Sequence, residues 1–286
     1  MTLSPAARSR LVASRKHEMA TLLSPDIYSW YRQQLDVCRM RYDEQRSAWM
    51  VFGYAEVQQV LLDTDTFSSE RTLKADGSVD EILGAGMLGL DPPRHRHLRS
   101  LVVQAFTQKR VAALEPRIEA LAASLIDRMQ DGEVVDIVDA LAFPLPVMVI
   151  AELLGIPTAD REQFRSWTTD IVGADYELRM QGFRKMGSYF DAVVTEHMRN
   201  PQENLISELL TAEVGGFHRS PNRHLGFGHG IHLCLGASLA RLEAKVALGE
   251  LFRRFPRMRR DLTKPPTLRP SSFVFSFSHY PVRLQG

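Results

Sequence analysis

The sequence contains little cysteine, with Cys38 and Cys234 as the only two among 286 residues. Two cysteines cannot form the disulfide framework of a small secreted domain, and they suit a reducing compartment. Long apolar runs are also missing: residues 1–20 mix basic and small side chains, and no run reaches the roughly 20 apolar residues that span a bilayer. We therefore expect a cytoplasmic protein that is not exported and has no membrane anchor.

The chain also lacks an excess of charge of one sign. Its 35 lysines and arginines balance 34 aspartates and glutamates, which leaves a formal net charge of +1. This balance gives no reason to expect nucleic acid or an anionic membrane as a partner. Internal repeats and Gly/Ser-rich linkers are absent as well. Because 44% of the residues are hydrophobic, the chain can bury a sizeable core, which excludes a disordered or low-complexity protein.

Hydrophobic residues recur mostly at helical intervals of three and four. β-strand patterns are confined to residues 37–42 and 49–52, which form a hairpin-like pair, and to the alternating segment 273–277. Thr107 is a candidate N-cap. Helices are predicted over residues 54–62, 98–105, 114–129, 145–154, 160–172, 176–198, 203–213 and 236–255. The predicted fold class is therefore mainly α with small β elements.

The most informative segment surrounds Cys234. Residues 227–236 read Phe-Gly-His-Gly-Ile-His-Leu-Cys-Leu-Gly and form a glycine-punctuated loop directly before a long amphipathic helix. Gly228 and Gly230 allow a tight backbone path that a Cβ would obstruct, and Gly236 would let a flat ligand approach the backbone. Cys234 is expected beside the helix N-terminus, where unsatisfied N–H groups and the helix dipole favour a thiolate. Such a sulfur suits a metal, while the alternative is a small buried apolar side chain.

This segment resembles the haem-binding signature of the cytochrome P450 family, as found in its soluble bacterial members. The positions that match are Phe227, Gly228, Gly230, His232, Cys234, Leu235 and Gly236. The resemblance implies that Cys234 is the axial thiolate ligand of the iron of haem b, which favours O–O cleavage. It also implies cofactor contacts from Phe227, Gly228, His232, Leu235 and Gly236.

A second segment agrees with the first. Residues 91–99, Asp-Pro-Pro-Arg-His-Arg-His-Leu-Arg, resemble the family's helix whose His and Arg bind the haem propionates. His95 and Arg99 are four residues apart, so they share a helix face, and both can donate to carboxylates. The alternative is a solvated basic helix start. By the same resemblance His232 is a third propionate partner, at a position where the family more often has Arg. The Phe-Ser-Ser stretch at residues 67–69 also resembles the family.

The resemblance implies one P450-like domain over residues 1–286 that works as a haem-thiolate monooxygenase. Residues 1–216 would form its N-terminal portion, and residues 217–286 would carry the haem-ligand loop, the following helix and the C-terminal strands. Such an enzyme inserts one oxygen atom from O₂ into a small apolar organic substrate and receives electrons from a donor such as a ferredoxin or flavodoxin. Met87 and Leu88 fall where family members line the substrate pocket, although plain packing explains them equally well.

One block of the family's sequence is missing between Gly216 and Phe217, so the expected architecture is truncated internally. The block should contain a helix over the haem, with an acid–threonine pair that delivers protons to dioxygen, and a helix with Glu-x-x-Arg. We therefore assign no catalytic residue, and the alternative to an enzyme is a non-catalytic or partly folded remnant. The remaining Glu-x-x-Arg pairs are interpreted as surface ion pairs: Glu162/Arg165, Glu196/Arg199 and Glu250/Arg253.

Three weaker signals remain. Histidines and the cysteine within residues 218–234 could bind zinc instead of haem, although the spacing His229-x2-His232-x-Cys234 fits no common zinc pattern. Cys38, within a β pattern, is predicted to be structural. A basic cluster after the cysteine's helix is either a solvated face or a docking surface for an acidic electron donor; it consists of Arg253, Arg254, Arg257, Arg259, Arg260 and Lys264.

Overall fold

The computed structural model describes residues 27–44, 48–70, 86–173, 175–200, 224–269 and 276–286. The chain divides into two compact units. The first comprises Met1–Leu101 with Val214–Leu235, and the second Val102–Glu213 with Gly236–Gly286. The fold is mainly α with small sheets, as predicted. Among the described residues, no helix is both long and apolar enough to cross a bilayer.

The first unit contains a few short elements around a hairpin. In chain order they are helix α1 (Ile27–Val37), strands β1 (Met40–Asp43) and β2 (Ala48–Val51), helix α2 (Tyr54–Leu62), a 3₁₀ turn (Met87–Gly89), helix α3 (Arg94–Val103, whose last two residues belong to the second unit) and a second 3₁₀ turn (Gly230–His232).

The predicted hairpin is confirmed, but its first strand starts later than expected. β1 and β2 pair antiparallel with Tyr42 opposite Trp49, and these two rings meet edge-to-face with centroids 5.5 Å apart. Residue 37 ends α1 instead of beginning a strand, and the backbone N–H of Cys38 donates to the carbonyl of Gln34 at 3.0 Å. The placement of Cys38 within a β-strand was therefore wrong, because its backbone N–H is bonded to the last turn of α1 and β1 begins only at Met40.

The second unit is built mainly from helices. Its elements are a 3₁₀ turn (Gln104–Phe106), α4 (Gln108–Ala113), α5 (Glu115–Ile126), β3 (Val134–Asp136), a π-helical turn (Val138–Ala142), α6 (Pro144–Leu153), a 3₁₀ turn (Thr158–Asp160), α7 (Arg161–Val172), α8 (Tyr176–Arg199), α9 (Ala237–Arg254), β4 (Arg259–Arg260), β5 (Thr267–Leu268), β6 (Phe277–His279) and β7 (Pro281–Arg283).

The main core of this unit lies between α5 and α9. The predicted cap is present, since Thr107 Oγ1 accepts a hydrogen bond from the backbone N–H of Arg110 at 3.4 Å. Helix then gives way to a short break at Leu114, and α5 starts with Pro116 in its first turn. A proline has no N–H and a fixed φ, so it starts a helix more easily than it continues one. The apolar stripe predicted from residue 114 onward is buried along α5, including Ile118 and Leu125.

The described part of the second unit also contains two small sheets, formed mainly by its C-terminal strands. β7 lies between β3 and β4 in one antiparallel sheet, while β5 pairs with β6 in another. The strand predicted at residues 273–277 falls largely outside the described residues, which include β6 from Phe277. The helix predicted over residues 203–213 and the junction between Gly216 and Phe217 also lie outside them.

Candidate functional site

The loop that leads to Cys234 depends on glycine at Gly230. Gly228 and Gly230 have left-handed φ angles of 74° and 64°, a region that residues with a Cβ rarely adopt. A Cβ on Gly230 would lie 2.0 Å from the carbonyl oxygen of Leu61 in α2, whereas one on Gly228 would lie 3.2 Å from the carbonyl oxygen of His232. Gly230 therefore lets the loop approach the backbone of α2 at a distance that no other residue permits.

Cys234 closes this loop and leaves its side chain exposed. Its backbone N–H donates to the carbonyl of Phe227 at 2.8 Å, which joins the two ends of the loop. Two residues later Gly236 is the N-cap of α9. Because the thiol is exposed, the interpretation of Cys234 as a small buried apolar residue is wrong. Its sulfur is accessible to a ligand.

Helix α3 buries two of its basic side chains. His95 is 2% exposed and Arg99 is 7% exposed, whereas Arg94 and Arg96 face outward. The guanidinium of Arg99 donates to the carbonyl of Leu233, the neighbour of Cys234. The alternative of a solvated basic helix start is therefore wrong for His95 and Arg99, and Arg99 connects α3 to the cysteine loop.

The imidazole rings of His95 and His232 are in contact, and each ring has one nitrogen without a hydrogen-bond partner in the described residues. Their rings pack edge-to-face with centroids 4.6 Å apart. Nε2 of His95 and Nδ1 of His232 are buried and have no hydrogen-bond partner among the described residues. A buried polar atom without a partner costs about 1–3 kcal/mol. Together with the buried guanidinium of Arg99, these nitrogens form a group that could bind carboxylates.

Burial disfavours the protonated form of both imidazoles and so lowers the pKa of each. Burial lowers the pKa of His95 to about 4, and repulsion from the ring of His232 when it is protonated and from Arg99 acts in the same direction. Burial and Arg99 also lower the pKa of His232 below its ordinary value. A neutral imidazole has one N–H donor and one acceptor nitrogen. A ligand carboxylate nearby would raise both pKa values, because a negative charge favours the protonated ring.

A second network holds His232 from its other side. Nε2 of His232 lies 2.8 Å from Oγ of Ser69. The backbone N–H of Ser69 donates to one carboxylate oxygen of Asp91 at 2.8 Å, and the hydroxyl of Ser68 donates to the other at 2.5 Å. Ser69 and Asp91 were not predicted as site residues. Both lie in segments that resemble the family, but no spacing in the sequence indicates a contact between positions 163 residues apart.

Met87 and Leu88 lie in the 3₁₀ turn before α3, where Met87 is half-buried and Leu88 is 61% exposed. A shallow pocket of about 370 Å³ lies beside the outer side of α3. Its lining residues are Leu90, Pro93, Arg94, His97 and Leu98. Neither Met87 nor Leu88 belongs to this lining in the part of the chain that the structure describes, so their role in substrate binding stays a prediction.

Zinc binding by the cysteine segment finds no support in the geometry. Nε2 of His229 lies 3.3 Å from the side-chain nitrogen of Gln58. Within the described ranges, the group of three residues whose ligand atoms lie within 4.8 Å of one another is Asp136, Asp139 and His279 in the second unit. His229, His232 and Cys234 form no such group, and His218 lies outside the described residues.

The Glu-x-x-Arg pairs behave mostly as predicted. Glu162 and Arg165 form a surface ion pair at 3.6 Å, and Glu250 and Arg253 form one at 2.7 Å. The third predicted pair was wrong: among the described residues Glu196 forms no ion pair with Arg199, and its carboxylate instead accepts a hydrogen bond from the side-chain amide of Asn200 at 2.7 Å.

Several members of the basic cluster are engaged within the second unit. Arg253 and Arg254 bind the carboxylate of Glu250, and the guanidinium of Arg257 donates to the terminal carbonyl of Gly286 at 2.7 Å. These contacts favour the interpretation of the cluster as a solvated face.

Comparisons with known proteins show the family to which this chain is related. The model of the family described as Cytochrome P450 matches residues 24–171 and 210–284. Cyclomarin C epoxidase of Salinispora arenicola is 27% identical over 89% of this chain and 96% of its own length. Erythromycin C-12 hydroxylase of Saccharopolyspora erythraea is 29% identical over 88% and 92%. The crystal structure of CYP109E1 from Bacillus megaterium in complex with testosterone is 26% identical, with a TM-score of 0.76 over 90% of this chain and 99% of that one.

The same comparison bears on the missing block. The alignment with cyclomarin C epoxidase spans 383 positions, which exceeds the 286 residues of this chain. That relative therefore has residues with no counterpart in this chain, which is consistent with a missing block.

Proposed function

Since this chain belongs to the cytochrome P450 family, we propose that it is a haem-thiolate monooxygenase that oxidises a small apolar organic substrate with O₂. One observation carries the proposal: the first unit combines the accessible thiol of Cys234 with buried imidazole nitrogens of His95 and His232 that lack a partner in the described residues. The names of two relatives, an epoxidase and a hydroxylase, support the transfer of a single oxygen atom.

These residues fit haem b. Its two propionate carboxylates would accept hydrogen bonds from His95, His232 and Arg99, which would satisfy the buried nitrogens. Cys234 would hold the iron through its thiolate sulfur. When bound, the haem supplies the activation of O₂ and the transfer of one oxygen atom to the substrate. Burial of the propionate partners excludes water from them and strengthens their attraction to the carboxylates.

The backbone at Gly236 also leaves space for a flat cofactor. A Cβ on Gly236 would meet only the ring edge of Phe106, at 4.0 Å, and the φ of Gly236 is an ordinary −81°. Packing and backbone geometry in the described residues thus do not require glycine at this position. We attribute this glycine to the approach of the porphyrin, with the aromatic and aliphatic side chains of Phe227 and Leu235 beside it.

The proton supply distinguishes this chain from an ordinary family member. Thr168 and Thr169 have the residue type of the missing relay, but their hydroxyls donate to the carbonyls of Phe164 and Arg165 at 2.9 and 3.0 Å. We therefore assign them no role in proton delivery. Protons would come from solvent, so we expect part of the electrons from the ferredoxin or flavodoxin to appear as hydrogen peroxide.

The first test is spectroscopic. The full chain, supplied with haem, reduced and exposed to carbon monoxide, should show the red-shifted Soret band of a thiolate-ligated carbonyl complex. Cys234→Ser should abolish this band, and Cys38→Ser is the matched control that should retain it. A carbonyl complex without thiolate character in the unmodified chain would overturn the proposal.

The second test is turnover. The haem-loaded protein would be given a ferredoxin, its reductase, isotopically labelled O₂ and a panel of apolar compounds. A product that carries one labelled oxygen atom supports the monooxygenase. A thiolate-type spectrum without any labelled product would instead establish the alternative, a haem-binding protein without catalysis.

A further inference from the structure

We propose that Ser69, held in place by Asp91, is a positioning residue that orients the imidazole of His232 toward a haem propionate. The inference rests on the proposed function, because it concerns how the same site receives its cofactor. It assigns a role to a network of two serines and one aspartate that no motif in the sequence predicts.

The first step is the contact between Ser69 and His232. Oγ of Ser69 lies 2.8 Å from Nε2 of His232, while Nδ1 of the same ring is buried without a partner in the described part of the chain. A hydroxyl can donate to a neutral imidazole nitrogen and accept from a protonated one. Ser69 therefore satisfies Nε2 in either state and leaves Nδ1 as the nitrogen available to the ligand.

The second step is how Ser69 itself is fixed. Asp91 accepts hydrogen bonds from the backbone N–H of Ser69 at 2.8 Å and from the hydroxyl of Ser68 at 2.5 Å. The hydroxyl of Ser68 also accepts from the backbone N–H of Glu70 at 2.9 Å. The carboxylate of Asp91 thus anchors the backbone of Ser69 and the side chain of Ser68, which fixes the short segment that carries the Ser69 hydroxyl.

The third step is that Asp91 connects the two histidines. Its backbone carbonyl accepts from the backbone N–H of His95 at 3.0 Å in the first turn of α3, while its carboxylate holds Ser69 and, through it, His232. The hydroxyl that contacts the imidazole of His232 is therefore in place before a ligand arrives. Alignment in advance lowers the entropic cost of binding, so removing Ser69's hydroxyl should speed the release of haem.

The test measures haem release from the full chain to an excess of apomyoglobin. Ser69→Ala removes only the hydroxyl and should release haem about 3- to 10-fold faster, the size expected for one hydrogen bond. Ser69→Thr keeps a hydroxyl and should restore the slow rate. Ser100→Ala is the matched control, because its hydroxyl donates to the carbonyl of His97 on α3.

A double-mutant cycle separates positioning from general stability. If Ser69 acts through His232, Ser69→Ala should have no further effect on release in a His232→Ala background. An undiminished effect there, or an unchanged rate for the single variant, would overturn the inference. These outcomes differ from a failure of the proposed function, in which the unmodified chain itself would show no thiolate-ligated haem.

Discussion

The two units fill their interiors with opposite kinds of side chain. Of the five largest fully buried side chains among the described residues, four are aliphatic and lie in the second unit, and the fifth is His95 in the first. In the described part of the first unit, the buried side chains are His95, Arg99 and a single leucine, Leu90. Burying apolar surface stabilises a fold by itself, whereas burying polar atoms without partners costs free energy.

The apolar core of the second unit is favourable by itself, whereas under the proposed function the buried polar atoms of the first unit are completed by a ligand. Apart from Glu243, the core between α5 and α9 is apolar and is favourable without a ligand. The site around His95 contains buried ring nitrogens without a partner among the described residues, which under the proposed function would bind a propionate. A ligand that binds the folded state alone stabilises it by mass action. Local rules of folding are most often broken at functional sites, and the first unit breaks them at the predicted haem site.

The largest expected effect tests the self-sufficient core. Leu251 in α9 is 1% exposed, whereas Leu248 on the same helix is 50% exposed. Leu251→Ala should lower the free energy of unfolding by about 2–5 kcal/mol, because it removes buried surface and leaves a cavity. Leu248→Ala, the matched control, should change it by no more than about 0.5 kcal/mol. Urea unfolding followed by far-UV circular dichroism measures both, and equal losses would contradict the assigned core.

The next prediction concerns Glu243, a carboxyl group buried beside the apolar residues of that core. Glu243 lies on α9 between Leu239 and Ala247 in the buried stripe and is 6% exposed. Burial raises its pKa to about 7 from an ordinary 4.5. The folded state then holds a proton that the unfolded state has lost, so this contribution to stability is full below pH 4.5 and disappears as the pH rises to about 7.

Glu243→Gln removes this titration while keeping the shape of the side chain. The unmodified chain should lose on the order of 3 kcal/mol of stability between pH 4.5 and 7 that the variant does not lose. The measurement is urea unfolding at several pH values. Parallel pH profiles for the two proteins would show that the carboxyl group of Glu243 is not the source.

A third prediction tests the loop of the first unit. Gly230→Ala should destabilise the loop by at least about 1–2 kcal/mol, the cost of a left-handed residue with a Cβ, because the added methyl also meets the carbonyl of Leu61. Amide hydrogen exchange at Cys234, whose N–H closes the loop, reports this opening. Gly236→Ala should leave that exchange unchanged in haem-free protein and weaken haem binding only. Equal exchange in the two variants would contradict the assignment.

Much of the fold was predictable from local pattern. The periodicity of residues 54–62 predicted α2 with the observed bounds, and the spacing of His95 and Arg99 placed both on one helix face. Helix ends were harder, since the helix predicted over residues 114–129 ends at Ile126 and α4 (Gln108–Ala113) lies between two predicted helices. The spacing of apolar residues indicates which face of a helix is buried, but it does not indicate at which residue the helix ends.

The site was predictable only in part. Cys234 and His232 follow one another in a motif, so the sequence itself brings them together. Ser69 and Asp91 reach His232 through contacts between distant segments, and serine and aspartate are ordinary loop residues. The burial of Glu243 could not be predicted for a different reason. A glutamate in an amphipathic helix is usually solvated, and only the packing of α9 shows that this one is buried.

The smallest expected effect concerns an ion-pair cluster on the surface of α9, which lies outside the buried interiors of both units. Glu250 binds Arg253 and Arg254, and hydrogen bonds from these two arginines lower its pKa to about 2. Exposed ion pairs contribute little because water and salt screen them, so Glu250→Gln should lower the free energy of unfolding by at most about 1 kcal/mol. Because the folded pKa is depressed, the contribution is present above pH 4.5 and is lost as the pH falls toward 2. Unfolding in low and high salt at pH 7 measures the effect, and a loss that salt does not reduce would mean that Glu250 is buried against the core as Glu243 is.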